Sequence, residues 1–387
     1  MNKMKPRFLL PFIGILLIYF SANAQLIHYS SDIPKEKIRI IPEQMYGGNV
    51  SESLSELTYI ELETGGERVL EKPGELIFIY DRIALLDNNE GVFYLYNQQG
   101  KLIKVIEKID GIKIKNQMLF YELIKEGNHF VGLASDYKVK IDKEGNIIEK
   151  DLNYKYKNQK KSIELNKVAF EYDIPARSTD TVPRHALTRN GKLLVNYNLK
   201  YKINQSYYEG KTLIKINDSL GFVVFPIPYT IMALNEKGVS KVYEFIFPAV
   251  NSIDTSEYGM FENNVKLYDF VDHYPHKIHA FGRILNDKNY LYFYMANSYF
   301  QKWVAFDQKN NKFISLVDIV PDKSNDFLNI LNREDLYTDG SLLYTFIYPD
   351  EIAVAKIKSK EEKHVMRKKY ADLEKSKNPI LVRFKLK

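Results

Sequence analysis

An all-β ring of six blades, each a four-stranded antiparallel sheet, is the architecture this sequence predicts, and three observations predict it. The 387 residues include 29 Tyr and 22 Phe. With the β-branched residues they fall into runs of about 4 to 8 separated by Gly, Asn and Asp, the pattern of strands and hairpins. One phrase recurs: an apolar strand, a polar turn with Asn or Asp, a Gly or Asn, often a Lys, and a second strand. Its turn residues Gly100, Gly145, Gly191 and Gly238 stand 45, 46 and 47 positions apart. About 40 to 50 residues is the length of one propeller blade, a meander that hides both of its apolar faces only by stacking radially on its neighbours.

Taken from the N-terminus, Lys3, Lys5 and Arg7 precede an apolar run from Phe8 to Phe20 and then Ser21-Ala22-Asn23-Ala24. A basic region, a short greasy region and a small-residue site make a secretory leader, so residues 1–24 are expected to be cleaved off after Ala24. The run is shorter than the ~20 residues that span a bilayer. Residues 25–387 are then one six-bladed propeller domain, periplasmic or secreted, with no transmembrane segment. The chain has no cysteine, so neither a disulfide nor an acylated lipoprotein terminus is available, and stability must come from packing. Without the leader the formal charge falls from +6 to +3. That is too small for an electrostatic nucleic-acid surface.

The recurring phrase supplies five blades, through Tyr94–Ile103, Val139–Ile148, Ala186–Leu194, Met232–Val242 and Val304–Ile314. A Gly or Asn fits the positive φ of a tight hairpin, and a preceding Asn or Asp can accept hydrogen bonds from the turn backbone. From Gly238 to Asn311 the step is 73 residues, which implies an insertion. A sixth blade is expected from Leu342–Tyr348, a strand over Ile352–Ile357, and Ile380–Leu386. Closing the ring needs a strand from one terminus in a blade made from the other, either Ile38–Ile41 or the C-terminal strand. Between Ser359 and Lys377 the Lys-, Glu- and Ala-rich composition suits a short charged helix, ended by Pro379.

Leu57–Thr64, followed by Asp81–Asp87 and Val92–Tyr96 up to Gly100-Lys101, resembles the opening blade of an exported six-bladed β-propeller family. That family is NHL-like and common in Gram-negative bacteria specialised for polysaccharide uptake. The ending Asn378–Lys387 is similar to its typical terminus. The resemblance implies fold and location, with no catalytic residues to carry over. Many members have a lipobox cysteine, absent here.

Two groups of residues are candidates for chemistry. Asp272-His273-Tyr274-Pro275-His276-Lys277-Ile278-His279 offers His273, His276 and His279 as zinc ligands. On an extended strand, however, the middle imidazole would point away from the other two, and a solvated loop is the simpler expectation. Tyr299, Phe300 and Trp303 lie between two strands, where rings with apolar faces and polar edges suit a sugar or peptide. Rings in such folds also pack between blades. Tyr290, Tyr292 and Tyr294 alternate with Leu291, Phe293 and Met295, which predicts a strand buried on both faces.

No nucleophile elbow, phosphate-binding loop, dinucleotide fingerprint or H-E-x-x-H occurs. The expectation is therefore a monomeric, non-enzymatic binding or scaffold propeller without cofactors, presenting loops to a glycan, peptide or protein partner. The alternative is an exported polysaccharide hydrolase or lyase, with acidic residues gathered at the central channel from distant blades.

Overall fold

The computed structural model describes residues 27–387 apart from 67, 71, 113–117, 155–159, 174–183, 199–211, 227, 255–256, 258–263 and 332–334. The leader and its cleavage site lie outside the described residues. Two short strands come first, β1 (Ile27–His28) and β2 (Lys35–Arg39), then the helical turn α1 (Val50–Ser53) and β3 (Leu54–Glu61). Blade 1 is β4–β7 (Pro73–Ile79, Arg82–Asp87, Phe93–Asn97, Leu102–Ile106) and blade 2 is β8–β11 (Glu122–Glu126, His129–Leu133, Lys138–Ile141, Ile147–Asp151). Blade 3 is β12–β15 (Lys160–Leu165, Val168–Asp173, Arg184–Arg189, Lys192–Asn198), and blade 4 is β16–β19 (Leu213–Lys215, Gly221–Phe225, Thr230–Asn235, Gly238–Ile246). Blade 5 follows helix α2 (Asn264–His273) and comprises β20–β23 (Ala280–Asn286, Tyr290–Ala296, Gln301–Asp307, Lys312–Ser315). Blade 6 takes β24 (Tyr337–Thr338), β25 (Leu343–Ile347) and β26 (Ile380–Leu386), and orders them β24-β25-β26-β3.

Ring closure is therefore made by β26 and β3, antiparallel, with Leu381 opposite Ile60 and Leu386 opposite Leu54. The segment around Ile38 does not close the ring: β2 lies parallel along β19, with Ile38 opposite Phe245. There it covers the outer edge of blade 4, as β1 covers that of blade 3. An uncovered edge strand invites pairing with another chain. The segment read as the opening of blade 1, Leu57–Thr64, contributes its strand to blade 6 instead.

All five recurring turns join the third and fourth strands of their blades. Gly100, Gly145, Gly191, Gly238 and Asn311 each adopt the positive φ expected of them. In the sixth blade the corresponding junction is where the chain ends meet: the Lys387 N–H donates to the Ser53 carbonyl at 3.0 Å. The 73-residue step reflects the connection 247–279, which carries α2.

A second sequence expectation fails in blade 6. Ile352–Ile357 is not a strand but the middle of α3 (Pro349–Glu361), which is followed by α4 (Lys368–Asp372). Pro349 at the first helical position has φ already set, and the Glu351 carboxylate accepts from the Tyr348 N–H at 2.8 Å. Ile352, Ala355 and Ser359 are buried, at the i, i+3, i+7 spacing of one helical face. The short charged helix thus begins ten residues before Ser359.

Aromatic side chains fill the gaps between blades. Phe93 meets Phe130 edge-on at 5.8 Å between blades 1 and 2, Tyr172 meets Phe225 at 6.0 Å between 3 and 4, and Phe245 meets Phe293 at 4.9 Å between 4 and 5. Phe78 and Tyr344, 4.3 Å apart, do the same between blades 1 and 6. Every residue of β21, Tyr290 to Ala296, is buried, as the alternation predicted. Such pairs add about 0.5–1.5 kcal/mol each beyond the area they bury.

Candidate ligand-binding face

Strands that alternate in direction send their connections alternately to the two ends of the ring. Turns between first and second or third and fourth strands emerge on one face, and none exceeds five residues, from the two of 80–81 to the five of 142–146. The other face takes the connections between blades and those between second and third strands. These include 247–279, 297–300, 316–336 and 348–379, and hence α2, α3 and α4.

Tyr299 is on that second face, in the four-residue link between β21 and β22, and 64% of its surface is exposed. Asn297 fixes the link: its side-chain oxygen accepts from the N–H groups of Tyr299 at 2.9 Å and Phe300 at 3.0 Å, and its own N–H donates to the Phe300 carbonyl. Ser298 ties the link to α2 through the Val271 and Pro275 carbonyls. The result is a ring pair, with Tyr299 and His276 centroids 4.6 Å apart.

The His276 backbone is held as firmly. Its carbonyl accepts from the side-chain amides of Asn297 at 3.1 Å and Asn251 at 3.2 Å. Asn251 is fully buried and also donates to Glu43, in the turn after β2, while its side-chain oxygen has no partner among the described residues. Lys277 and Glu257 form a half-buried ion pair at 3.0 Å beside it. Tyr274 packs on Phe270 of α2 and is half exposed. Together they place two exposed tyrosine rings, Tyr274 and Tyr299, beside hydrogen-bonded amides and an ion pair.

The other sequence candidates separate. Phe300 is partly buried, with the Lys302 ammonium 5.2 Å from its ring. Trp303 is only 3% exposed and stands edge-on to Tyr294 at 6.0 Å inside blade 5. His273 closes α2, its ring Nδ1 within 2.7 Å of the Asp269 carbonyl. His279 sits just before β20, where burial depresses its pKa and a hydrogen bond to the Lys277 backbone partly offsets this. The three imidazoles thus take three separate jobs, and no group of three His, Cys, Asp or Glu among the described residues could hold a metal.

Sequence reasoning missed a polar group contributed by the innermost strands: Glu75 from β4, Arg283 from β20, and Asp335 and Tyr337 at the start of blade 6. Tyr337 donates to the Gly74 carbonyl at 2.6 Å. Burial raises its phenol pKa, Asp335 and Glu75 raise it further, and Arg283 opposes them. The Glu75 carboxylate accepts from the Leu123 N–H of blade 2 at 2.6 Å, so it ties neighbouring blades together. No sequence spacing announces a group assembled from three blades.

Residues 31–110 match the model of a family described as "6-bladed beta-propeller". A crystal structure of a Bacteroides fragilis protein described as exported superposes with a TM-score of 0.60, at 14% identity, over 91% of this chain and 99% of that one. A Bacteroides caccae protein of unknown function has a TM-score of 0.28 at 8% identity, covering 70% of this chain and 80% of its own. The Pan2 WD40 domain of Neurospora crassa has a TM-score of 0.33 at 8% identity, covering 77% and 83%. No curated protein matches the sequence. The family match spans Leu57 to Lys101, the residues that carry the resemblance, and the six sheets make this chain a six-bladed β-propeller.

Proposed function

We propose that this is an exported, non-enzymatic binding propeller that acts as a monomer in the periplasm or outside the cell once residues 1–24 have been removed. Residues 25–387 then form one binding unit. Its long-connection face holds a ligand with apolar faces and polar edges, above all a glycan, with Tyr299 as the stacking platform, Phe300 at its margin and Trp303 supporting it from within the blade. The observation that carries this reading is Tyr299 itself: a large ring, mostly exposed, in a link whose backbone is fixed by Asn297 and backed by His276. Preorganised rings of this kind lose little entropy on binding. An exported address is also consistent with the Bacteroides fragilis protein described as exported.

The test is thermal-shift and calorimetric screening of the mature protein against oligosaccharides and peptides, repeated with Tyr299→Ala. Binding by the parent that weakens tenfold or more in the variant, at unchanged melting temperature, supports the reading. Peptide binding in place of sugar binding moves the ligand class, and turnover of a bound oligosaccharide overturns the non-enzymatic assignment. One observation favours the hydrolase or lyase alternative: Glu75 and Asp335 stand near the partly buried Tyr337, at the innermost strands of blades 1 and 6. In that case Glu75→Gln or Asp335→Asn removes turnover and Tyr299→Ala leaves the chemical step intact.

A further inference from the structure

The segment from Lys356 to Lys369 carries seven Lys or Arg against two acidic residues, a formal +5 in a chain whose total is +6. Several of these cations are engaged locally. Lys356 pairs with Glu374, Lys358 with Glu361 and Glu362, and Arg367 with Asp326. Lys360, Lys363 and Lys368 are exposed and make no ion pair among the described residues.

Three aliphatic side chains stand in water among them. Val354 is 66% exposed, Ile357 63% and Val365 88%. Val354 and Ile357 are three residues apart on α3, opposite the buried Ile352 and Ala355, so two aliphatic side chains stand on its outer side, beside the exposed Asp350 and Glu361. Single exposed aliphatics are ordinary. Three within twelve residues, inside a concentration of lysine, are not.

The segment cannot fold its outer side inward, because its base is clamped. Asp326 is fully buried and accepts from His364 Nε2 at 2.7 Å and Arg367 Nε at 2.5 Å, while the Ser359 hydroxyl donates to its carbonyl at 3.3 Å. Tyr370 of α4 packs edge-on against Tyr59 of β3 at 4.7 Å.

We propose that α3 and the turn after it dock this propeller on an anionic phospholipid surface. Val354, Ile357 and Val365 enter the boundary between headgroups and acyl chains, and Lys360, Lys363 and Lys368 reach the phosphates, the arrangement of an interfacial basic element. Hot spots of protein contacts are enriched in aromatic residues and arginine, whereas here Tyr370 is buried and Arg367 is committed to Asp326. Among the described residues no helix is long and apolar enough to cross a membrane, so the attachment is peripheral. Because α3 lies in a connection on the same face as Tyr299, docking turns that face toward the bilayer.

Flotation of the mature protein with phosphatidylcholine vesicles containing 30 mol% phosphatidylglycerol, against pure phosphatidylcholine, tests this directly. We expect partitioning into the mixed vesicles that is at least tenfold stronger than into the neutral ones and is largely lost in 0.5 M salt. Replacing Val354, Ile357 and Val365 by Ser should weaken it tenfold or more, and Lys360→Glu with Lys363→Glu by a similar factor, since each lysine at such a surface is worth roughly fivefold. Both variants alter only exposed positions, and their thermal melts verify the fold. Lys312→Glu, exposed and next to the turn 308–311 of the opposite face, should float like the parent. No flotation with mixed vesicles overturns the proposal. So does flotation untouched by the serine substitutions, which would be charge adhesion alone, or equal retention by a soluble acidic polypeptide, which would make the partner a protein.

Discussion

The two faces of the ring are made of different material. One consists of turns of two to five residues, set by a positive-φ residue or by an Asn or Asp that caps its own backbone, as Asp142 does for Glu144 and Asn146 and Asp307 does for Lys309 and Asn310. The other consists of long connections held by tertiary bonds: Asn251 and Asn297 on the His276 carbonyl, Asp326 on His364 and Arg367. Short-range chemistry determines the first face and leaves it little room to vary. The second face depends on partners dozens or hundreds of residues away, so it can change without disturbing the blades. That separation is what lets a rigid repeat scaffold carry function on its loops.

The largest test of this separation compares two aromatic residues four positions apart. Trp303→Ala removes a buried indole from blade 5 and should cost about 3–5 kcal/mol, as large-to-small core changes do. Tyr299→Ala, at the loop tip, should stay within about 0.5 kcal/mol of the parent. Urea denaturation of the mature variants measures both. If Tyr299→Ala destabilised as much as Trp303→Ala, the link would be part of the blade and the division between faces would be false at its most important point.

Smaller effects sharpen the picture of the turn face. Gly100 has φ +80°, and a Cβ there would lie 2.2 Å from the Glu61 carbonyl oxygen of β3, so Gly100→Ala must both strain the turn and push blade 1 from the closing strand. We expect about 2–4 kcal/mol of destabilisation. Gly191 has φ +76° with open space around it, so Gly191→Ala should cost only the backbone term, about 1 kcal/mol. Equal losses in the two variants, by the same denaturation, would mean that φ alone governs these turns and that the closing seam adds nothing.

The same division decides what can be read from sequence. Five turns are legible because each needs a particular residue at a particular φ. The sixth is not, because the chain ends replace it, which is why Leu57–Thr64 reads as the start of blade 1 when it is the outer strand of blade 6. Parallel addition of β2 to β19 leaves no turn to recognise. Ile352–Ile357 fits an alternating strand as well as a helical face, and Pro349, Glu351 and two alanines decide for the helix. At the site, Tyr299 is visible as an aromatic beside a turn. Its fixation by His276, Asn251 and Glu43, and the group of Glu75, Arg283 and Asp335, arise only when distant segments meet.

Acid should distinguish the faces with the smallest effect of the three. On the long-connection face, burial holds the His279 pKa below its ordinary value. The unfolded chain therefore takes up that proton first, so the contribution is complete above about pH 6.5 and is lost as pH falls from there through the folded value. On the turn face, Asp307 is lowered by the Asn310 side chain and by turn N–H groups. Asp142 is lowered because hydrogen bonds from Asn146 and Glu144 outweigh the opposing effect of its partial burial. These contributions are complete above the ordinary carboxylate range, near pH 4, and are lost only below it. Stability followed by urea midpoints should thus decline by up to one proton more steeply between pH 7 and 5 in the parent than in His279→Gln, with the two curves parallel from pH 4 downward. A histidine variant whose curve matched the parent throughout would show that His279 is solvated, and that the loops beneath Tyr299 are less tightly packed than the blade they cover.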